Sequence, residues 1–192
     1  MIPLLLLFIF CLMGTASSQN ICKSPPDLGT VCTNGTAPSI RFYFDKNLRE
    51  CLPFKYFGCG GNENNFANED LCGDRCIPED DFSCPANTPP LNNTFGDSGC
   101  GRIESREDVQ CADVTKSFCE MGPFGFGMCC SLDAQKRVNQ DHGLTCSNGK
   151  KKYTVNRWHG DIVFIGKSCD LQFCPDGYDC QKGNFYAFCC PK

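Results

Sequence analysis

The sequence predicts a small disulfide-rich α+β protein built from three consecutive units. The chain has 192 residues, of which 19 are cysteines, a density typical of small folds that disulfides stabilise. After the N-terminal segment these cysteines fall into three sets of six. Hydrophobic residues make up 41% of the chain and charged residues 21%, so the composition does not indicate a disordered chain or a membrane-embedded array.

The N-terminal 18 residues have the layout of a secretory signal peptide. An apolar run extends from Ile2 to Met13, and the small residues Gly14 and Ala16 follow it. A bilayer-spanning helix needs about 20 apolar residues, so this run is too short to be an anchor. We therefore expect residues 1–18 to be removed, leaving a secreted, extracellular protein that has no membrane segment.

Removal of the signal peptide leaves an even number of cysteines. Cys11 would be lost, so 18 remain, as expected if all of them pair in an oxidising compartment. Zinc binding is the competing use of many thiols, but the chain contains no C-x2-C spacing, and neither His142 nor His159 has a partner at H-x3–5-H spacing. The sequence therefore predicts disulfides, with no metal site and no cofactor.

The first unit, residues 22–76, carries signals for a twisted hairpin followed by a helix. Aromatic-rich segments, which favour strands, lie at 41–44 and 52–56, with a turn expected at 45–47. Asn68 is followed by two acidic residues, an arrangement typical of the first turn of a helix. Cys72 and Cys76 then share one helix face.

A specific motif lies across the second strand of this unit. It reads F-x-Y-x-G-C-x-G-N-x-N-x-F, and its defined positions are Phe54, Tyr56, Gly58, Cys59, Gly61, Asn62, Asn64 and Phe66. With the spacing of the last four cysteines, it resembles a Kunitz domain of the pancreatic trypsin inhibitor type. The resemblance implies the bridges Cys22–Cys76, Cys32–Cys59 and Cys51–Cys72, and it implies that Asn64 is a buried amide with a structural role.

The resemblance further implies a serine protease inhibitor that acts by substrate-like insertion of a rigid loop. Because such a loop loses little entropy on binding, a standard-sized interface can be tight. Thr33 would fill the primary specificity pocket, and it suits a shallow elastase-like pocket since it cannot reach the aspartate of a trypsin-like one. The reactive bond would join Thr33 to Asn34, in a protease-binding loop formed by Cys32, Thr33, Asn34, Cys59, Gly60 and Gly61.

Other features of the loop favour an alternative function. Asn34, Gly35 and Thr36 form a glycosylation sequon, and a glycan beside Thr33 would obstruct a protease. The loop is also longer than usual in the family, and Phe57 stands where a small residue is common. The alternative is an extracellular-matrix or cuticle interaction protein, in cuticle assembly or moulting, whose Kunitz domain does not inhibit.

The second unit (84–130) and the third unit (146–190) are predicted to be divergent copies of one small, mostly β and loop module. Each ends in two adjacent cysteines after a Gly/Phe-rich stretch. Adjacent cysteines rarely pair with each other, so each is expected to reach a different segment. Both units resemble the lustrin-type cysteine-rich repeat, which implies a matrix or spacer role. Asn92 lies in a second glycosylation sequon.

Further local expectations concern the chain after residue 130. Ser131 is expected to cap a short helical turn that extends through Asn139. A hairpin is predicted to turn near His159 and Gly160, with Trp158 more readily explained as a core residue than as a ligand platform. The basic residues of this hairpin are interpreted as a solvated strand edge rather than a polyanion site: Lys150, Lys151, Lys152 and Arg157.

The sequence lacks the residues of an enzyme active site. Neither histidine lies in a nucleophile signature, and no Gly-rich phosphate loop follows a strand. The net charge of −4 disfavours nucleic acid as a partner. A channel-blocking toxin is disfavoured because residues 22–76 are near neutral, with six basic and seven acidic residues. The expected partner is an extracellular serine protease or a matrix component.

Overall fold

Nine disulfides hold the fold together, and every one of them lies within a single unit. The computed structural model describes residues 21–33, 35–103, 106–157 and 160–192. The expected signal peptide, residues 1–18, lies outside these ranges. In the described part of the chain the strands form small antiparallel sheets with few helices, in agreement with the predicted small disulfide-rich α+β class.

The first unit is a twisted hairpin closed by a helix. Its elements are a 3-10 turn (Ile21–Lys23), β1 (Thr30–Val31), β2 (Ser39–Asp45), β3 (Glu50–Tyr56), β4 (Gly58–Cys59) and α1 (Glu69–Cys76). β2 and β3 pair from Ser39 opposite Tyr56 to Asp45 opposite Glu50, so the hairpin is longer than the aromatic segments predict. The Asn68 side chain accepts a hydrogen bond from the Leu71 N–H at 2.9 Å, which confirms the predicted helix cap.

The second unit is a four-stranded sheet. Its elements are β5 (Gly99–Ile103), β6 (Arg106–Val109), β7 (Ser117–Met121) and β8 (Phe126–Ser131), with 3-10 turns at Pro85–Asn87 and Pro123–Gly125. The strand order in the sheet is β6-β5-β8-β7. Helix α2 (Leu132–His142) follows directly. Ser131 caps it by accepting from the Ala134 N–H at 3.3 Å. The helix continues beyond Asn139, where the predicted turn ends, because its last turn packs into the third unit.

The third unit combines a hairpin with a three-stranded sheet. Its strands are β9 (Thr154–Arg157), β10 (Gly160–Val163), β11 (Ile165–Gly166), β12 (Tyr178–Lys182) and β13 (Ala187–Pro191), with a 3-10 turn at Cys169–Leu171. β9 pairs with β10 from Arg157 opposite Gly160 to Thr154 opposite Val163, so the strands of the predicted hairpin are paired. Trp158 and His159 themselves lie outside the described residues.

All three units share one pattern of disulfide pairing. In each, the first cysteine joins the sixth, the second joins the fourth, and the third joins the fifth. In the first unit these are Cys22–Cys76, Cys32–Cys59 and Cys51–Cys72, the pairs that the Kunitz resemblance implies. The others are Cys84–Cys130, Cys100–Cys119, Cys111–Cys129, Cys146–Cys190, Cys169–Cys180 and Cys174–Cys189. The adjacent cysteines of β8 and β13 therefore each reach a different segment, as expected.

A single hydrophobic cluster connects the three units. It contains buried residues from the hairpin of the first unit, from the 3-10 turn of the second and from the third: Tyr43, Leu48, Leu52, Phe54, Ala86, Leu171 and Tyr186. Polar contacts surround this cluster. The Tyr186 hydroxyl donates to the Glu50 carboxylate, and the Asn87 side chain donates to the Asn47 carbonyl at 2.8 Å. The units thus bury apolar surface against one another, which a flexible spacer would not do.

The basic residues of the third unit are not a uniformly solvated edge, contrary to the sequence interpretation. Lys152 is buried, and its ammonium donates to the carbonyls of Gln140 (3.3 Å) and Asp141 (2.8 Å) at the end of α2. A helix C-terminus attracts cations because its last carbonyls lack partners. Arg157 forms an ion pair with Glu69 of the first unit. Both side chains are therefore engaged in packing that the strand pattern does not reveal.

Asp141 holds α2 against the loop between β12 and β13. Its buried carboxylate accepts from the backbone N–H groups of Asn184 (2.8 Å), Phe185 (2.7 Å) and Tyr186 (3.1 Å). Burial on its own would raise the pKa of Asp141, but these donors outweigh it and the net shift is downward. The carboxylate thereby positions Tyr186 for its contact with Glu50.

We predict that Asp141→Asn lowers the free energy of unfolding by about 2 kcal/mol, because hydrogen bonds to a charged acceptor are replaced by weaker ones. The contribution of Asp141 is fully present above the unfolded-state pKa and is lost as the pH falls through the lower folded-state pKa. Guanidinium unfolding of the oxidised protein between pH 2 and 7 measures both effects. Asp176→Asn, at an exposed aspartate of the same unit, is the matched control, and an equal loss there would contradict the prediction.

We also predict that Tyr186→Phe raises the pKa of Glu50. Burial already raises this pKa, and the Tyr186 hydroxyl lowers it in part by donating to the ionised carboxylate. Removing that donor removes a stabilising contact of the charged form, so the pKa moves further upward. A carbon-13 NMR titration of the Glu50 carboxyl measures the shift. Tyr178→Phe should leave the titration unchanged, and an unchanged Glu50 titration in Tyr186→Phe would refute the contact.

Candidate functional site

The candidate protease-binding loop is anchored at one end of the first unit by a disulfide and a short pair of strands. β1 pairs with β4, with Thr30 opposite Cys59 and Val31 opposite Gly58. Immediately after β1, the Cys32–Cys59 bridge joins the two segments with a Cα–Cα distance of 5.2 Å. Cys32 is buried while Thr33 is exposed. The bridge is thus on the inside of the loop, and the predicted specificity residue is on the outside.

Hydrogen bonds fix the segments on either side of this bridge. The Asp27 carboxylate accepts from the Gly29 N–H at 3.0 Å, and the Phe57 N–H donates to the Leu28 carbonyl at 2.8 Å. The Tyr56 hydroxyl donates to the Gly60 carbonyl at 2.7 Å. Because these bonds form within the free protein, the segments that anchor the loop do not have to be ordered on binding, and less entropy is lost.

Two glycines allow the loop and its supporting strand to approach each other closely. Gly29 has a φ of +66°, and a Cβ placed there would lie 2.3 Å from the carbonyl oxygen of Cys59. Gly58 has a φ of +108°, and its Cβ would lie 3.0 Å from the Cys32 sulfur and 3.3 Å from Thr36. A side chain at either position would therefore be strained by the backbone and blocked by neighbours. Gly29 is a site residue that the motif does not include.

The Asn64 side chain forms hydrogen bonds with three backbone groups of the first unit. Its side chain is fully buried. The amide oxygen accepts from the Phe44 N–H at 2.9 Å, and the amide nitrogen donates to the carbonyls of Ser24 (2.7 Å) and Phe44 (3.0 Å). This confirms that Asn64 is a buried structural amide. It ties the segment before the loop to the hairpin without reaching the exposed surface.

The remaining predicted site residues are placed as follows. Gly60 and Gly61 directly follow the bridge residue Cys59 and have φ values of +69° and +84°. Asn34 lies outside the described residues, so the bond between Thr33 and Asn34 and the sequon at Asn34 stay predictions. Asn92 is exposed, so the asparagine of this sequon lies on the surface of the second unit. Its glycosylation also stays a prediction.

Three apolar side chains of the first unit are also exposed or partly exposed. Val31 is 70% exposed, Ile40 at the start of β2 is 37% exposed, and Phe57 is half-buried. The Lys55 ammonium lies 5.7 Å from the centre of the Phe57 ring, within the range of a cation–π contact. Val31 was not singled out by the sequence analysis. It was missed because the two-residue strand β1 is too short to show an alternating pattern of burial.

Among the described residues, one group of side chains has the spacing of metal ligands, and it consists of disulfide sulfurs. The sulfurs of Cys100, Cys111 and Cys129 lie within 4.8 Å of one another, but each belongs to a disulfide and has no thiolate to offer a metal. The His142 ring packs edge-on against the Tyr186 ring, with 5.5 Å between their centres. Within the described ranges, none of the helices has both the length and the apolar character needed to cross a membrane.

Comparison with known proteins identifies a family model and relatives that match this chain. The family model for the Kunitz/bovine pancreatic trypsin inhibitor domain matches residues 21–77. A BPTI/Kunitz inhibitor domain-containing protein of Caenorhabditis elegans is 33% identical over 174 residues, which are 90% of each chain. The major allergen Ani s 1 of Anisakis simplex is 35% identical over 173 residues, 88% of this chain and 86% of the allergen.

A third relative matches a shorter part of the chain. The Kunitz-type serine protease inhibitor LmKTT-1b of Lychas mucronatus is 37% identical over 76 residues, which are 40% of this chain and 88% of the inhibitor. The two nematode proteins, in contrast, extend the similarity across nearly the whole chain, including its cysteine-rich remainder. The chain therefore belongs to the Kunitz/bovine pancreatic trypsin inhibitor domain family.

Proposed function

We propose that the protein is a secreted serine protease inhibitor whose loop, residues 32–34, inserts into the protease as a substrate would. The observation that carries this proposal is the placement of an exposed Thr33 directly after a buried, disulfide-bonded Cys32. Hydrogen bonds within the free protein hold the two segments that the Cys32–Cys59 bridge joins. Such anchoring favours a preorganised loop, which is the condition for tight binding through a limited area.

Thr33 would determine which proteases are inhibited. Its short β-branched side chain fits a shallow, neutral pocket and cannot form an ion pair at the base of a deep one. Val31, two residues before Thr33, and Phe57, which precedes the pairing partner of Val31, are apolar and at least partly exposed, so they would contact apolar parts of the protease surface. We therefore propose an elastase-like protease as the target class.

A second candidate function is that of a matrix or cuticle interaction protein whose Kunitz domain does not inhibit. The sequon at Asn34, next to Thr33, favours it, because a glycan there would cover the loop. The lustrin-type identity of the second and third units also stays a proposal. It is supported by the adjacent cysteines that close each of these two units and reach different segments, a feature that the first unit lacks.

The two functions are separated by an inhibition assay with the full oxidised protein. Trypsin, chymotrypsin and elastase would each be titrated with the protein before and after enzymatic removal of N-linked glycan. Stoichiometric inhibition of elastase, especially after deglycosylation, is the expected result. Absence of inhibition of all three enzymes in both states, with all thiols shown to be paired, would reject the proposed inhibitor and favour the matrix function.

We predict that Thr33→Arg creates or strengthens trypsin inhibition by about 100-fold. An arginine at this position would reach the aspartate of the trypsin pocket and form a desolvated charge pair, which contributes about 2–5 kcal/mol. The inhibition constant for trypsin measures the effect. Thr145→Arg, at an exposed threonine of the linker before the third unit, is the control and should leave that constant unchanged. No gain in Thr33→Arg would mean that residue 33 does not enter the protease.

Gly29→Ala is predicted to weaken inhibition of the target protease by about tenfold or more. The new methyl group would clash with the Cys59 carbonyl, and the alanine would have an unfavourable φ. The loop would therefore have to shift, at a cost of about 1–3 kcal/mol. Gly149→Ala has a similar φ of +79° but no neighbour within 4 Å, so it controls for backbone strain alone. If the two variants inhibited equally well, close packing at Gly29 would not be needed for inhibition.

A further inference from the structure

A concave site, separate from the protease-binding loop, lies between the first and third units. It is a cleft of about 950 Å³, a size within the range of ligand-binding sites. One wall is formed by β3 and α1, including Pro53 and Gly73, and the opposite wall is formed by Ile162, Phe164 and Ile165. The cleft exists only because the two units pack against each other, and it is not part of the family motif.

The two walls of the cleft differ in chemistry. The wall from the third unit is largely apolar, whereas six carboxylates line the cleft from the first unit and the connector: Glu50, Glu69, Asp70, Asp74, Glu79 and Asp81. Three of the six have partners, since Glu50 accepts from Tyr186, Glu69 pairs with Arg157 and Asp81 pairs with Arg49. Within the described ranges, no ion pair involves the other three, which are exposed.

The negative charge of the cleft is therefore not neutralised by the protein itself. Asp70 and Asp74 are four residues apart on α1, so their side chains project from the same helix face, about 6 Å apart at their Cβ atoms. Next to Asp70, burial raises the pKa of Glu69, which Arg157 only partly offsets. A cation entering from solvent would meet carboxylates on one side and an apolar surface on the other.

We propose that this cleft binds a polypeptide segment that carries a lysine or arginine beside an apolar side chain. The cationic group would lie against Asp70 and Asp74, and the apolar side chain would pack on the wall that contains Ile162. Long cationic side chains suit such a site, because their methylene stems bury against apolar surface while the charged end stays with the carboxylates. Charge complementarity makes an acidic or neutral peptide a poor ligand.

The cleft and the protease-binding loop are formed by different residues. Pro53 is the cleft residue of β3 nearest to Tyr56, which contacts the loop residue Gly60, and three strand positions separate the two by about 10 Å. Thr33 does not line the cleft. The test of the cleft measures binding of a peptide, so it does not depend on inhibition.

Gly73 provides a direct test of the cleft. It lines the cleft from α1, and a Cβ built on it meets no atom within 4 Å. Gly73→Phe would therefore place a ring in open space of the cleft, and replacing a mid-helix glycine does not weaken the helix. The probe is a fluorescein-labelled peptide of alternating lysine and leucine, and its binding to the full oxidised protein is measured by fluorescence anisotropy.

The expected result is saturable binding that Gly73→Phe reduces by at least tenfold. Asp70→Asn with Asp74→Asn should weaken binding by up to about tenfold and flatten its salt dependence, since partly exposed charge pairs contribute modestly. Asp176→Asn controls for loss of an exposed charge elsewhere. Peptides with glutamine for lysine, or with glycine for leucine, separate the ionic from the apolar contribution.

Two outcomes would overturn the proposal. Binding of the lysine–leucine peptide that is no tighter than binding of the glutamine–leucine peptide would exclude a cation site. Binding that Gly73→Phe leaves unchanged, in a protein whose thiols are all paired, would place the peptide elsewhere on the surface. Elastase inhibition by both variants should equal that of the unmodified protein, so a failure of the inhibitor proposal would not affect this result.

Discussion

The bond between the first and the last cysteine of each unit is the constraint on which the rest of the structure depends. A unit of about 50 residues cannot bury enough apolar surface to be stable on that basis alone. Closing each unit end to end, as in Cys22–Cys76, removes much of the entropy of the unfolded chain. The two inner bridges then position short strands that would not be stable in isolation. The exposed loop is one product of this closure.

The hydrophobic cluster shared by the units adds a second level of organisation. Tyr186 belongs to this cluster and also donates to Glu50 across the boundary between the first and third units. Asp141 fixes the backbone of Tyr186 from the side of α2. The position of the first unit relative to the third thus depends on buried polar groups as well as apolar contact. The loop and the cleft are thus both held in place by residues that are not part of them.

Local signals allowed much of the first unit to be predicted, whereas contacts between units could not be. The cap at Asn68 and the hairpin follow from residues close in sequence, and the family resemblance implies the disulfides and the role of Asn64. Lys152 was misjudged because its partners are carbonyls of α2, which no strand pattern contains. Arg157 was misjudged because Glu69 is 88 residues away. Gly29 was missed because the reason for a glycine there is the carbonyl of Cys59.

The confinement of every described disulfide to one unit has a consequence for proteolytic processing. A cut in the acidic connector between Cys76 and Cys84 would divide the polypeptide with no disulfide among the described cysteines to keep the fragments joined. The shared cluster and the Glu50 contact would still hold them together without a covalent bond. Such a nicked molecule would migrate as one species under native conditions and as two in denaturant without reductant. Fragment release would then be governed by dissociation rather than by cleavage.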